Sequence, residues 1–135
     1  MSRMIFVNLP VSDLATATRF YEAMGCRLNP RFSNEEAASM VWSDAIVFHL
    51  LVHASFSEFT PKPIADAHRS TEVLLAVQCE SRSAVDTLAE AAAQAGGQTD
   101  IREKQDLGFM YARAVEDPDG HILELVWMDP TASDA

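Results

Sequence analysis

Apolar and polar positions along this chain change period in a fixed order, and the order occurs twice. From Met4 to Pro10 the sequence is apolar and rich in β-forming residues, which predicts a strand. Ser12 and Asp13 then supply a helix start. Leu14, Ala17, Thr18, Tyr21 and Met24 follow at helical spacing, and Gly25 suits the residue just past a helix end. The second round begins near Glu72 with a strand-like run to Cys79. Ser83 with Asp86 three residues later suits an N-cap, Val85, Leu88, Ala89 and Ala92 form an apolar stripe, and Gly96-Gly97 is a stop. Three strands follow each glycine, near 26–33, 38–43 and 45–52 in the first half and near 98–104, 109–116 and 121–127 in the second. Each half therefore reads βαβββ, and the fold class is α+β.

The halves also agree in detail. Val41-Trp42-Ser43-Asp44 leads into Ile46-Val47-Phe48-His49-Leu50, and Val115-Glu116-Asp117-Pro118-Asp119-Gly120 leads into Ile122-Leu123-Glu124-Leu125. Each second strand carries one polar residue, His49 or Glu124, five places after the turn aspartates Asp44 and Asp119. Side chains alternate along a strand, so His49 shares a face with Val47 and Leu51, and Glu124 with Ile122 and Val126. A carboxylate on an apolar face is costly to leave alone, which favours a hydrogen-bond partner, a cation or a shifted pKa. Glu72, opening the first strand of the second half, is a third candidate. Its counterpart by the repeat falls near Phe6, on a face continued by Asn8 and Pro10.

A βαβββ unit cannot close a barrel alone, so two of them would present concave sheet faces to a shared cavity. The expected organisation is a single domain over 1–135: one module at about 4–52, a linker at about 53–70, and a second module at about 71–128. Phe56, Phe59, Pro61 and Pro63 break any regular pattern in the linker, which reads as a loop or short irregular helix. It serves either as a lid or as a plain connection.

Composition narrows the functional classes. With 48% apolar and 22% charged residues the chain suits a soluble globular protein, and no stretch approaches the roughly 20 apolar residues that span a bilayer. Met1-Ser2-Arg3-Met4-Ile5 lacks the apolar core of a signal peptide, so a cytoplasmic location is expected. A net charge of -10 argues against nucleic acid and anionic membrane as partners. It is compatible with a cationic ligand and equally with simple solubility. Cys26 and Cys79 have no metal or redox spacing and read as small buried apolar residues.

The paired βαβββ order, the Asn8-Leu9-Pro10-Val11-Ser12-Asp13-Leu14 lead-in to a helix with Phe20-Tyr21 and Gly25, and above all Asp117-Pro118-Asp119-Gly120-His121-Ile122-Leu123-Glu124-Leu125 resemble the vicinal oxygen chelate superfamily. That group includes glyoxalase I, bleomycin-resistance proteins, fosfomycin-resistance enzymes and extradiol dioxygenases. The resemblance covers roughly residues 4 to 128 and implies a glyoxalase-like fold with a shared concave cavity and a homodimer.

In metal-dependent members of that superfamily one position early in the first strand and one in the last strand of each half supply ligands. Here those positions hold Phe6, His49, Glu72 and Glu124. Phe6 cannot bind a metal. His49, Glu72 and Glu124 remain as a metal set that would suit one divalent ion such as Zn, Ni, Mn or Fe. The resemblance thus implies a metal-dependent lyase, isomerase or dioxygenase-like enzyme, with Glu124 or Glu72 as the catalytic proton carrier. Its alternative is a metal-free protein that sequesters a small organic molecule, and a third version keeps one of those glutamates as a general base without metal. In any of them Phe6, Asn8, Trp42 and Met110 are candidate ligand-binding residues, and Arg113 a candidate anchor for a ligand carboxylate or phosphate. His121, beside the turn, is expected at the surface, and His53 and His68 belong to the linker.

Overall fold

Leu9 and Val11 of strand β1 (Ile5–Val11) are buried while Phe6 and Asn8 on the alternate face stay exposed. The buried face needs cover, and helix α1 (Leu14–Ala23) supplies it with Ala17, Phe20 and Tyr21 on one stripe. Asp13 caps α1 by accepting from the Thr16 N–H at 3.0 Å. Strands β2 (Arg27–Leu28), β3 (Ala37–Val41) and β4 (Ile46–Val52) complete a sheet ordered β1-β4-β3-β2, in which β1 and β4 run parallel. The strand expected at 26–33 stops early because Pro30 brings no amide donor, and Asn29 accepts from Arg31 N–H to start a single 3-10 turn over Pro30–Phe32. Strand β4 runs directly into the short helix α2 (His53–Ser57), which opens the linker.

The second half repeats this plan with strand β5 (Leu75–Gln78), helix α3 (Arg82–Gln94), and strands β6 (Gln98–Thr99), β7 (Gln105–Asp106), β8 (Met110–Glu116) and β9 (Ile122–Met128). Its sheet is ordered β5-β9-β8-β6, with β7 also paired to β8. Three local expectations shift. The first strand starts at Leu75 rather than Glu72, and Ser81 rather than Ser83 caps α3, accepting from Ala84 N–H at 3.0 Å. The strand expected at 98–104 stops after Thr99 because Asp100 adopts φ 56° and turns the chain aside, and pairing to β8 resumes beyond the expected range at β7.

The computed structural model describes residues 3–132, so Met1 and Ser2 of the N-terminal stretch lie outside it. A continuous core joins the halves: Phe20, Tyr21 and Met24 of the first belong to the same buried cluster as Val85, Ala89, Leu123 and Leu125 of the second. Cys26 and Cys79 are free and buried, and burial pushes the Cys26 thiol up to about 12. Among the described residues no helix is long and apolar enough to cross a membrane.

The turn between β8 and β9 is the joint. Asp117 is 2% exposed, and its carboxylate accepts from the Tyr21 hydroxyl at 2.8 Å, the Asp119 N–H at 2.9 Å and the His121 N–H at 3.0 Å. Burial pushes this carboxyl above its usual range. Asp119 accepts from both the N–H and the hydroxyl of Ser12 at 2.8 and 2.9 Å. His121 Nε2 lies 2.8 Å from the Pro10 carbonyl, a geometry in which Nε2 carries the proton and donates. Gly120 has φ 92°, and a Cβ there would stand 2.7 Å from the backbone of Ala67 and His68, so the linker lies directly on this turn. Replacing Gly120 by Ala should cost about 1 to 3 kcal/mol in urea unfolding, from backbone strain plus this clash, and should expose residues 63–70 to protease. A variant as stable and as resistant as the parent would contradict the close approach.

Candidate functional site

A cavity of about 320 Å³ lies where the end of β1, the segment leading into β5 and the β8–β9 turn meet. The linker forms one side of it. Phe56, Pro63, Ile64 and Ala67 come from this strap, and Pro10, Val73, Leu75 and Ile122 from the two halves, so most of the wall is apolar. Asn8, Lys62, Glu72 and His121 interrupt it, together with the hydroxyl residues Thr60, Ser70 and Thr71. At the strap's start Ser55 donates to Glu36 Oε2 at 2.9 Å, and near its end Asp66 folds the chain into a turn, accepting from His68 N–H through its carboxylate and from Arg69 and Ser70 N–H through its carbonyl.

Of the residues singled out from sequence, Asn8 and Glu72 line this cavity. Phe6 and His49 stand together on the same face of the first sheet, where register pairs Asn8 with His49 and the Phe6 ring lies 5.4 Å from the imidazole. Desolvation holds the His49 pKa below its usual range. Glu124 lies on the second sheet beside Ala76 and Ala114 in register, and its carboxylate accepts from Arg102 at 2.6 Å. Its partner is therefore a guanidinium from the loop between β6 and β7. Trp42 packs edge-on against Phe48 and borders a different depression, shared with Met24 and Leu88. Met110 is half-buried and pairs with Met128 at the end of β8.

Arg113, expected to anchor a ligand anion, is engaged by the protein itself. Alternation along β8 turns it toward α3, where it is 4% exposed and donates to Asp100 at 3.0 and 2.9 Å and to Asp86 at 2.9 Å. Tyr111 joins the same Asp86 oxygen at 2.7 Å. These bonds hold the Asp86 and Asp100 carboxyls below the usual range, Asp86 chiefly through the Tyr111 hydroxyl and Asp100 chiefly through the Arg113 guanidinium. The Asp100 bond also steadies the left-handed residue that divides β6 from β7.

The metal set does not assemble. Among the described residues no three His, Cys, Asp or Glu side chains gather where they could hold an ion. His49 stands beside Phe6, Glu124 pairs with Arg102, and Glu72 faces the cavity, so these residues do not fit a shared cation. Two cavity groups were missed as ligand contacts: Lys62, which obeys no spacing rule, and His121, which was expected at the surface. The internal repeat could have flagged His121, because it places the β8–β9 turn at the junction of the halves.

A family model for the glyoxalase/bleomycin resistance protein/dioxygenase superfamily matches residues 3–125. The chain belongs to this superfamily. Solved structures agree in fold. A glyoxalase-related enzyme from Fulvimarina pelagi superposes with a TM-score of 0.77 at 25% identity, covering 100% of this chain and 96% of that one. A superfamily enzyme from Burkholderia phytofirmans PsJN gives 0.75 at 16% identity over 94% and 99% of the two chains, and a superfamily domain from Frankia sp. EAN1pec gives 0.70 at 24% over 98% and 96%. No curated protein matches the sequence.

The Arg113 network makes a pH-dependent prediction. Arg113→Met removes charge-assisted bonds and should cost about 1 to 3 kcal/mol near neutral pH. Because the folded-state pKa values of Asp86 and Asp100 are lowered, their stabilisation is present above the ordinary carboxylate range and is lost as pH falls through the folded values. Denaturant unfolding across pH should therefore show the gap between parent and variant closing below about pH 4. A gap that stays constant down to about pH 2 would contradict the network's role.

Proposed function

We propose that this protein binds a small organic molecule in the cavity beneath the 56–70 strap, and does so without a resident metal ion. The observation that carries the reading is the composition of the wall: a concave, largely apolar surface with a few polar groups, at the junction of two halves, is the usual make-up of a small-molecule site. Superfamily membership supports the same reading. The metal-dependent enzyme loses support on the residues themselves, since Phe6 occupies one ligand position and Arg102 neutralises Glu124. Glu72 remains in the cavity wall as a contact for the ligand.

The wider setting follows from the same features. A net charge of -10 supports neither nucleic acid nor an anionic membrane as partner. Free, unpaired cysteines suit a reducing cytoplasm. Superfamily membership supports association as a homodimer.

Thermal-shift screening against small organic compounds and against Zn, Ni, Mn and Fe separates the two readings. An organic ligand at a hundred times its dissociation constant should add about 2.7 kcal/mol of stability. Val73→Asp, which places a charge in the cavity wall, should abolish that shift. If only metal ions raise the melting temperature and bind stoichiometrically, the metal-free reading is wrong.

A further inference from the structure

The charged groups of the cavity define the class of molecule it takes, an inference that rests on the binding reading above. Lys62 comes from the strap and Glu72 from the segment entering β5, so two separate stretches of chain bring opposite charges to one small space. They do not pair with each other. Among the described residues neither side chain has an ion-pair or hydrogen-bond partner, and the Asn8 amide beside them has none. Several other ionisable groups are engaged by the protein itself. Arg82, Arg102 and Arg113 each hold a carboxylate, Asp66, Asp117 and Asp119 each accept N–H or O–H bonds, and His121 is tied to Pro10.

We propose that the ligand is a zwitterion of the amino-acid type, its carboxylate met by Lys62, its ammonium by Glu72, and its apolar body by Ile64, Val73 and Ile122. Charge balance selects this class. A simple anion at Lys62 shares the cavity with the Glu72 carboxylate, and a simple cation at Glu72 shares it with the Lys62 ammonium, so each suffers a repulsion that the zwitterion converts into a second bond. The zwitterion also carries no net charge, so the repulsion of anions by a protein of net charge -10 does not act on it. Asn8 offers both a donor and an acceptor and can bond either ligand group. At about 320 Å³ the cavity lies at the small end of ligand pockets, which run roughly from 300 to 1,000 Å³, and this suits a single amino acid or a molecule little larger.

Four probes test the class: L-phenylalanine, 3-phenylpropionate, which lacks the ammonium, 2-phenylethylamine, which lacks the carboxylate, and indole as a neutral control. Affinities are read from amide shifts of Ile64, Val73 and Ile122 in the full-length protein. L-phenylalanine should bind at least about tenfold more tightly than either charged analogue. Lys62→Met should erase its advantage over the amine, and Glu72→Gln its advantage over the acid. Both residues are exposed, so neither substitution threatens the fold. Equal affinity for the amine or the acid, or variants that leave the preference unchanged, overturns the proposal. If indole shifts the cavity amides and L-phenylalanine does not, the zwitterion inference fails while the binding reading stands. If no probe shifts them, both fail.

Discussion

A carboxylate that is 2% exposed has to be satisfied by the protein, and the way Asp117 is satisfied organises this molecule. One of its three donors, the Tyr21 hydroxyl, comes from the helix of the first half, and two are amides of its own turn. The turn is thereby shaped and fastened at once. Beside the shared core, the polar contacts of the junction come from the same turn: Asp119 accepts both donors of Ser12, His121 donates to the Pro10 carbonyl, and Gly120 lets the strap backbone lie against it. The cavity exists because a hairpin turn of one half is bolted to the first strand and helix of the other.

The distribution of charge follows a related logic. The guanidinium groups of Arg82, Arg102 and Arg113 hold carboxylates of the scaffold, and Arg82 also stacks over Tyr111 and Trp127 with its carbon about 5.1 Å from each ring centre. Arg82 holds the Asp106 carboxyl down at about 2. With Glu124 taken by Arg102 and His49 packed beside Phe6, no divalent ion is needed to neutralise either sheet face. In the cavity wall the charged side chains are one cation, Lys62, and one carboxylate, Glu72, on a largely apolar background.

Much of the fold was legible in the sequence because the relevant signals are local and periodic. Helical spacing from Leu14 to Met24 and the repeated turn before each last strand report elements that the structure realises as α1, β4 and β9, while the apolar run Ile46–Val52 is buried on both faces of β4. What failed locally failed for identifiable reasons. Pro30 and the left-handed Asp100 each shortened a strand, through a missing donor and through backbone geometry that no hydrophobic count detects. The site was less legible. Asn8 and Glu72 could be picked out as polar residues on strand-like segments, but the partner of Glu124 is Arg102, which lies on a loop 22 residues earlier, and Lys62 sits on an aperiodic strap. Arg113 shows the same limit, since its face depends on a register that only the paired strands settle.

The central claim is that the Asp117 turn, rather than general packing, holds the strap over the cavity. Tyr21→Phe removes one donor to Asp117 and keeps the ring, and native-state hydrogen exchange then reports where the structure loosens. The account predicts that the amides of His68, Arg69, Ser70 and Gly120 exchange faster by about tenfold or more relative to Val85 and Ala89 in the core of α3. A uniform change at both sets, or no change at the strap, would contradict it.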